Sequence, residues 1–291
     1  MADVYQIITD RIIVQLENGV VPWHKPWKAG EHGWPKNLVS KKDYRGINVF
    51  MLSCSDFTLP YWVSFKQAKQ LGGNVRKGEK STVVVFWKWF DRKAEESEPS
   101  DTKGQRVPVL RYYNVFNVSQ CDGLEKRIPQ VDAEPAEPFE PIAACDHLVA
   151  DMPQAPTIQH GTDGAFYRHR DDLVSMPARE RFENAESYYS TLFHELTHAT
   201  GHEGRLNRPG IVEPSRFGSG TYSKEELVAE MGAAFLCGHA GIDNATIDKS
   251  ASYIGSWLAK LKDDKRLVVH AAANAQRAAD FIIGRKYDNE D

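Results

Sequence analysis

Residues 194–198 read His-Glu-Leu-Thr-His. Side chains four apart in a helix lie one above the other, so His194 and His198 are expected to turn both imidazoles to one face and share one cation. Glu195 cannot point at the same spot. It stands beside it, where a carboxylate can take a proton from water and pass it to a leaving amine. Hydrolytic zinc uses three protein ligands and keeps a fourth position open, so a third ligand is required.

The third ligand has several candidates. The metzincin pattern places a histidine six residues after His198, but that residue is Gly204, so the sequence departs from that group although Gly201 matches its glycine. His202 lies past the expected helix end. Glu226 and Glu230 are one turn apart on a later helical segment. The run Glu226-Leu-Val-Ala-Glu230 resembles the E-x-x-A-[D/N] helix of HExxH peptidases whose third ligand is glutamate, the gluzincin type. That resemblance implies that Glu226 binds metal and that Glu230 stands behind, orienting a ligand histidine. Against it, Ser223-x-x-Glu226 also fits a capping box, which would turn Glu226 to its own helix N-terminus. Glu226 is therefore the favoured ligand and Glu230 the alternative. The expected cofactor is one divalent ion, zinc, and peptide hydrolysis the expected chemistry. Tyr222 and His202 are candidates to steady an oxyanion.

The elements that must position these groups are legible in part. Tyr188, Leu192, Phe193 and Leu196 give the segment before His198 an apolar face, with Asn184 as N-cap and Gly201 as stop. A second helix runs through SKEELVAEMGAAFLCGHAG, and two more follow near 250–262 and 265–284. The stretch AFYRHRDDLVSMP reads as a strand whose edge could align an extended substrate. At the start, Val4, Ile7, Ile8, Ile12 and Leu16 have helical spacing, ending near Gly19. WVSFKQAKQLGG reads as a short helix, VRKGEKSTVVVFWKWF as a hairpin entering a long strand, and VLRYYNVFNV as its partner across a polar loop. In VVVFWKWF the alternation is expected to pack at least one face.

Charge divides the chain. Residues 1–130 hold 20 Lys+Arg against 14 Asp+Glu, net +6; residues 131–291 hold 16 against 26, net −10. Six of the seven tryptophans fall in the basic part. Cationic side chains that track phosphates, interleaved with rings on which unpaired bases stack, suit single-stranded DNA. The candidates are Trp23, Lys25, Trp27 and Lys28 in PWHKPW, Lys42, Tyr44 and Arg45 in KKDYRGINVF, and Lys66, Arg76, Lys77 and Lys80 around VRKGEKS. No zinc finger, helix-turn-helix or RNP-type motif supports sequence-specific duplex reading.

Residues 129–141, PQVDAEPAEPFEP, hold four prolines and four acidic residues, a composition that builds no core and is expected to link two domains. The four cysteines, Cys54, Cys121, Cys145 and Cys237, have no C-x-x-C spacing and are expected as reduced thiols. No apolar run reaches membrane-spanning length, and the opening residues lack the layout of a signal peptide, so a cytoplasmic location is expected.

Taken in order, PWHKPW, YRGIN, W-x-x-F-x-Q-A and G-G-x-V-x-K-G-E-K-S resemble the single-stranded-DNA-binding domain of the ArdC family. The later run from AFY through HELTHATGH to Y-x-x-E-E-L-V-A-E-x-G-A-A-F-L resembles the metallopeptidase domain of the same family. The resemblance implies an α+β fold in two domains: residues 1–128 binding single-stranded DNA, the linker 129–141, and a zincin-like, gluzincin-type domain over 142–291. It also implies an antirestriction role that protects incoming conjugative plasmid DNA. Two other readings are a metalloprotease recruited by DNA to cleave proteins bound there, and a binding module whose metal is purely structural.

Overall fold

The computed structural model describes residues 3–24, 34–55, 57–91, 106–129, 141–213, 220–244 and 251–285. The first helix, α1 (Val4–Glu17), buries Ile8, Ile12 and Leu16 at the expected spacing; the Asp3 carboxylate accepts from the Tyr5 N–H at its start. Gly19, at φ 75°, supplies the left-handed conformation that closes it.

The basic part continues with β1 (Lys36–Asn37), α2 (Ile47–Ser53), β2 (Tyr61–Ser64), α3 (Phe65–Gln70), β3 (Asn74–Val75), β4 (Thr82–Asp91), β5 (Arg106–Asn117) and β6 (Cys121–Asp122). Four of these strands form a sheet in the order β1-β2-β5-β4, and β3 pairs with β6. The short helix expected from Trp62 onward is only half helical. Trp62 and Val63 are buried in β2, where aromatic and β-branched side chains fit the pleat, and the helix starts after Ser64, whose hydroxyl and Gln67 form a reciprocal capping box. β4 and β5 form the expected antiparallel pair, in register from Thr82 opposite Val115 to Asp91 opposite Arg106. The expected loop between them, 92–105, lies outside the described residues, as do 130–140 of the expected linker.

From Pro141 the chain forms α4 (Pro141–Ala150), β7 (Thr157–His160), β8 (Phe166–Arg168), β9 (Leu173–Met176), α5 (Ala185–Ala199), α6 (Pro209–Val212), α7 (Gly220–Ala240), α8 (Ala251–Asp263) and α9 (Leu267–Ile283). The single strand expected around Phe166–Met176 is two, folded back on each other because Asp172 takes a left-handed turn at φ 46°. Their sheet has the order β7-β9-β8, leaving β8 as an edge beside α5.

The two segments share one core. Ile8, Ile12, Trp23, Phe50 and Val85 belong to the same buried cluster as Phe193, Leu227, Phe235, Trp257 and Val268. Phe50 stacks on Phe235 with ring centres 4.8 Å apart, and α1 packs on α8 and α9. Smaller clusters fill the first sheet, one around Val63 and Leu124, the other joining Tyr44, Leu52, Trp62, Val84 and Val115. The cysteines are free thiols, three of them buried. Among the described residues no helix is long and apolar enough to cross a membrane.

Candidate functional site

α5 starts where Asn184 accepts from the Ser187 N–H, and its inner face buries Tyr188, Leu192, Phe193 and Leu196 against α7 and the second sheet. That packing turns His194 and His198 toward α7. Their Nε2 atoms stand 3.2 Å apart. Glu226, on the facing side of α7, brings one carboxylate oxygen to 3.6 Å from His194 Nε2 and the other to 3.7 Å from His198 Nε2. Ligands 2.0–2.1 Å from a tetrahedral ion stand roughly 3.3 Å from each other, so these separations fit a shared divalent cation. Glu195 lies against this group and is 8% exposed.

The competing assignment of Glu226 as a helix cap does not hold, because α7 begins at Gly220 and Ser223 and Glu226 are already inside it. Glu230, one turn on, turns elsewhere. It accepts hydrogen bonds from Trp23 Nε1 at 2.9 Å and from the Tyr253 hydroxyl, and burial pushes its carboxyl above the usual range. Glu230 therefore takes no place among the three converging donors.

A carboxylate does face His198 from behind, and it is Glu225. Its Oε1 lies 3.5 Å from His198 Nδ1. Buried Arg208 holds Glu225 with contacts of 2.5–3.2 Å and also donates to the Thr200 hydroxyl and the Thr197 carbonyl. Burial alone would raise the Glu225 pKa, but the hydrogen bonds from His198 and Arg208 bring it below the ordinary value. Burial likewise opposes charge on His198, yet Glu225, Glu195 and Glu226 together raise its pKa. The helix motif singles out Glu226 and assigns nothing to Glu225, whose role comes from the direction it takes around α7.

Gly201 occupies the predicted helix stop for a different reason from the expected one. It is not left-handed; a Cβ there would come within 2.4 Å of Ile211, so the chain after α5 must be glycine to pass beneath α6. His202 lies away from the three donors, in a second group with His169 and Glu203. The Gly204 N–H donates to His202 Nδ1, which leaves the neutral ring's proton on Nε2 and no lone pair there for a metal. The side chain of Tyr222 lies outside the described residues.

The nucleic-acid candidates separate sharply. Trp23 is a correction: it is fully buried, meets Trp257 edge-on at 6.2 Å and cannot offer a face to a base. Tyr44 is a second correction. It is 8% exposed, its hydroxyl accepts from Asn37, and it packs under the first sheet. Arg45 is half-exposed and paired with buried Asp280. Lys42, Lys66, Arg76, Lys77 and Lys80 are on the surface, with Arg76 held by Glu79 at 2.8 Å. Lys25, Trp27 and Lys28 lie outside the described residues. The expected packing of VVVFWKWF holds for Val83, Val84 and Val85, which are buried, but not for Phe86, Trp87 and Trp89, which are 41%, 38% and 51% exposed. Beyond Val85 the β4 side chains are largely uncovered, although Trp87 still leans on His270 of α9.

Residues 2–116 match the family model described as the N-terminal domain of anti-restriction factor ArdC, and residues 143–274 match a zincin-like metallopeptidase model. The chain is 37% identical to the antirestriction ArdC protein of plasmid R388 in its metal-free crystal structure, covering 98% of this chain and all of that one, with a TM-score of 0.75. The Mn(II)-bound crystal structure of that protein matches at 38% identity and a TM-score of 0.74, covering 97% of this chain and 98% of the other. A DNA primase TraC of Escherichia coli is 35% identical over 96% of this chain, which spans 27% of the primase's length. The uncharacterized protein y4eC of Sinorhizobium fredii (strain NBRC 101917 / NGR234) is 34% identical over 98% of this chain and 93% of its own length. Both segments are matched in order, and the identity is sustained from end to end of a solved relative: the chain belongs to the ArdC family of antirestriction proteins.

Proposed function

We propose that the chain binds single-stranded DNA without sequence preference and protects incoming conjugative plasmid DNA from host restriction, while its second half holds zinc in a peptidase-type site. The observation that carries this reading is the full-length likeness to an antirestriction protein. The net charge of +6 over residues 1–130 supports a polyanionic partner.

His194, His198 and Glu226 would hold the ion, and the Mn(II)-bound relative supports a divalent one. Bound there, it would supply Lewis acidity toward a carbonyl and lower the pKa of water toward about 7. Glu195 accepts the proton of the attacking water and returns it to the departing amine. Glu225, fixed by Arg208, faces Nδ1 of His198 and keeps the ring turned so that Nε2 meets the shared point. The β8 edge offers backbone groups with which an extended peptide can pair.

The converging donors beside Glu195 favour a second reading, in which DNA recruits a metalloprotease to proteins bound on it. Transfer of an unmodified plasmid into a restricting recipient separates the two. Expression of the wild-type chain should raise recovery of transconjugants there and leave a non-restricting recipient unchanged; no gain sinks the antirestriction reading. Full protection by Glu195→Ala assigns the effect to DNA binding, and its loss assigns it to hydrolysis.

A further inference from the structure

We infer that the base-stacking surface for single-stranded DNA is the outer face of the β4–β5 arm, built from Phe86, Phe90 and Tyr113 with Lys88 and Arg111. This rests on the single-strand reading above and says where on the chain it operates. Side chains two apart in a strand share a face, and so do directly opposed residues of an antiparallel pair. Phe86 opposes Arg111, Val84 opposes Tyr113, and Lys88 and Phe90 oppose Val109 and Val107, so all lie on one face. At its inner end Val84 and Val115 are buried beneath Tyr44 and Trp62. Past that point the same face leaves the body of the protein, with Phe86 and Tyr113 at 41% and 37% exposure.

The arrangement is that of a stacking platform rather than of a misplaced core. Phe86 meets Tyr113 edge-on at 5.7 Å, and both rings remain partly exposed. The Lys88 ammonium and the Arg111 guanidinium lie 5.1 and 5.5 Å from the Phe90 ring centre. Rings and cations thus alternate along roughly 13 Å of strand, from Phe86 to Phe90. No carboxylate stands among the β4 and β5 residues of this face, so its charge complements phosphate. The opposite face is engaged otherwise: Val83, Val85 and Leu110 join the main core and Trp87 leans on His270 of α9. Unpaired bases are the occupant that uses both features, because every base offers a flat surface and every linkage an anionic group.

The test uses the full chain and a fluorescein-labelled 20-nucleotide oligothymidine, read by anisotropy. Phe86→Ala and Tyr113→Ala should each raise Kd by about fivefold or more, the range expected when one stacked base is lost, and Phe86→Trp should restore binding. Lys88→Ala should lower the slope of log Kd against log salt by about 0.7, the value of one single-strand phosphate contact. Phe86→Ala and Lys88→Ala, at exposed positions, should leave the melting temperature unchanged. As a readout independent of the variants, photocrosslinking of 5-iodouracil-substituted oligonucleotide should label peptides from 82–91 or 106–117. If the wild-type chain binds the strand and all three alanine variants bind equally, with crosslinks elsewhere, the arm assignment is overturned while single-strand binding stands. If the wild-type chain does not bind the strand at all, both fall.

Discussion

Glu225 and Glu226 are neighbours on α7 whose side chains diverge by about 100° around the helix, and that angle gives them opposite tasks. Glu226 faces the two Nε2 atoms, so Glu226→Gln should abolish tight zinc binding while leaving the fold intact. Isothermal titration should show the stoichiometry fall from one toward zero; unchanged affinity would remove Glu226 from the ligand set. Glu225 instead balances buried Arg208, and Glu225→Ala strands that guanidinium in the interior, with an expected loss of about 3–5 kcal/mol in urea unfolding. Trp23 makes the same point for a residue chosen on composition. Trp23→Phe keeps the ring in the core but removes the donor to Glu230, for a loss of about 1–2 kcal/mol without change in oligothymidine affinity. A variant that unfolds normally but binds DNA poorly would return Trp23 to the DNA surface.

At the scale of elements, His194, His198 and Glu226 converge because α5 and α7 approach closely. Gly232 makes that approach feasible: a Cβ there would sit 2.5 Å from Thr197 Cγ2 and 2.7 Å from its hydroxyl. Gly232→Ala should therefore push the helices apart, cost about 1–3 kcal/mol and weaken metal affinity at a position that touches no ligand. Normal affinity in a stable variant would show that the separation is not set there. The turn between β8 and β9 is fixed by a different device. Asp172 receives Arg205, whose side chain is 3% exposed, and the Tyr167 hydroxyl. Burial opposes the Asp172 charge, but these hydrogen bonds outweigh it and hold its pKa below the ordinary carboxylate value. A carboxyl lowered in the folded state stabilises fully above its unfolded pKa and ceases to do so as pH falls through the folded value. Asp172→Asn should thus be destabilised by about 1 kcal/mol at neutral pH, after allowing for solvent screening, and the gap should close as pH drops below about 4. Equal gaps at both pH values would refute the ion pair.

For the whole molecule, the shared core decides how it unfolds. Residues from α1, α2 and β4 are buried with residues of α5, α7, α8 and α9, so neither family-model segment keeps its interior when separated. Calorimetry of the intact chain should give one cooperative transition, with the calorimetric and van't Hoff enthalpies equal. Two resolved transitions would mean that the segments are stable alone. Chelation should lower the midpoint of that single transition, because a ligand bound only by the folded chain stabilises all of it.

The sequence by itself determined what depends on short-range geometry. The i, i+4 spacing puts His194 and His198 on one helical face wherever that helix packs, and the apolar periodicity of 185–199 and 4–17 fixes which faces are buried. The likeness of ordered motifs carried the α+β class and the family. What only the tertiary structure decided depends on contacts between residues far apart in the chain. Trp23 looks exposed in a proline-rich stretch, yet it is buried because α8, more than two hundred residues later, closes over it. Glu226 and Glu230 are equivalent by periodicity until α5 and Tyr253 are in place to take one each. The alternation of VVVFWKWF foretells a packed face, which Val83 and Val85 supply, but the cover thins from Phe86 onward, and no local pattern records where a layer ends.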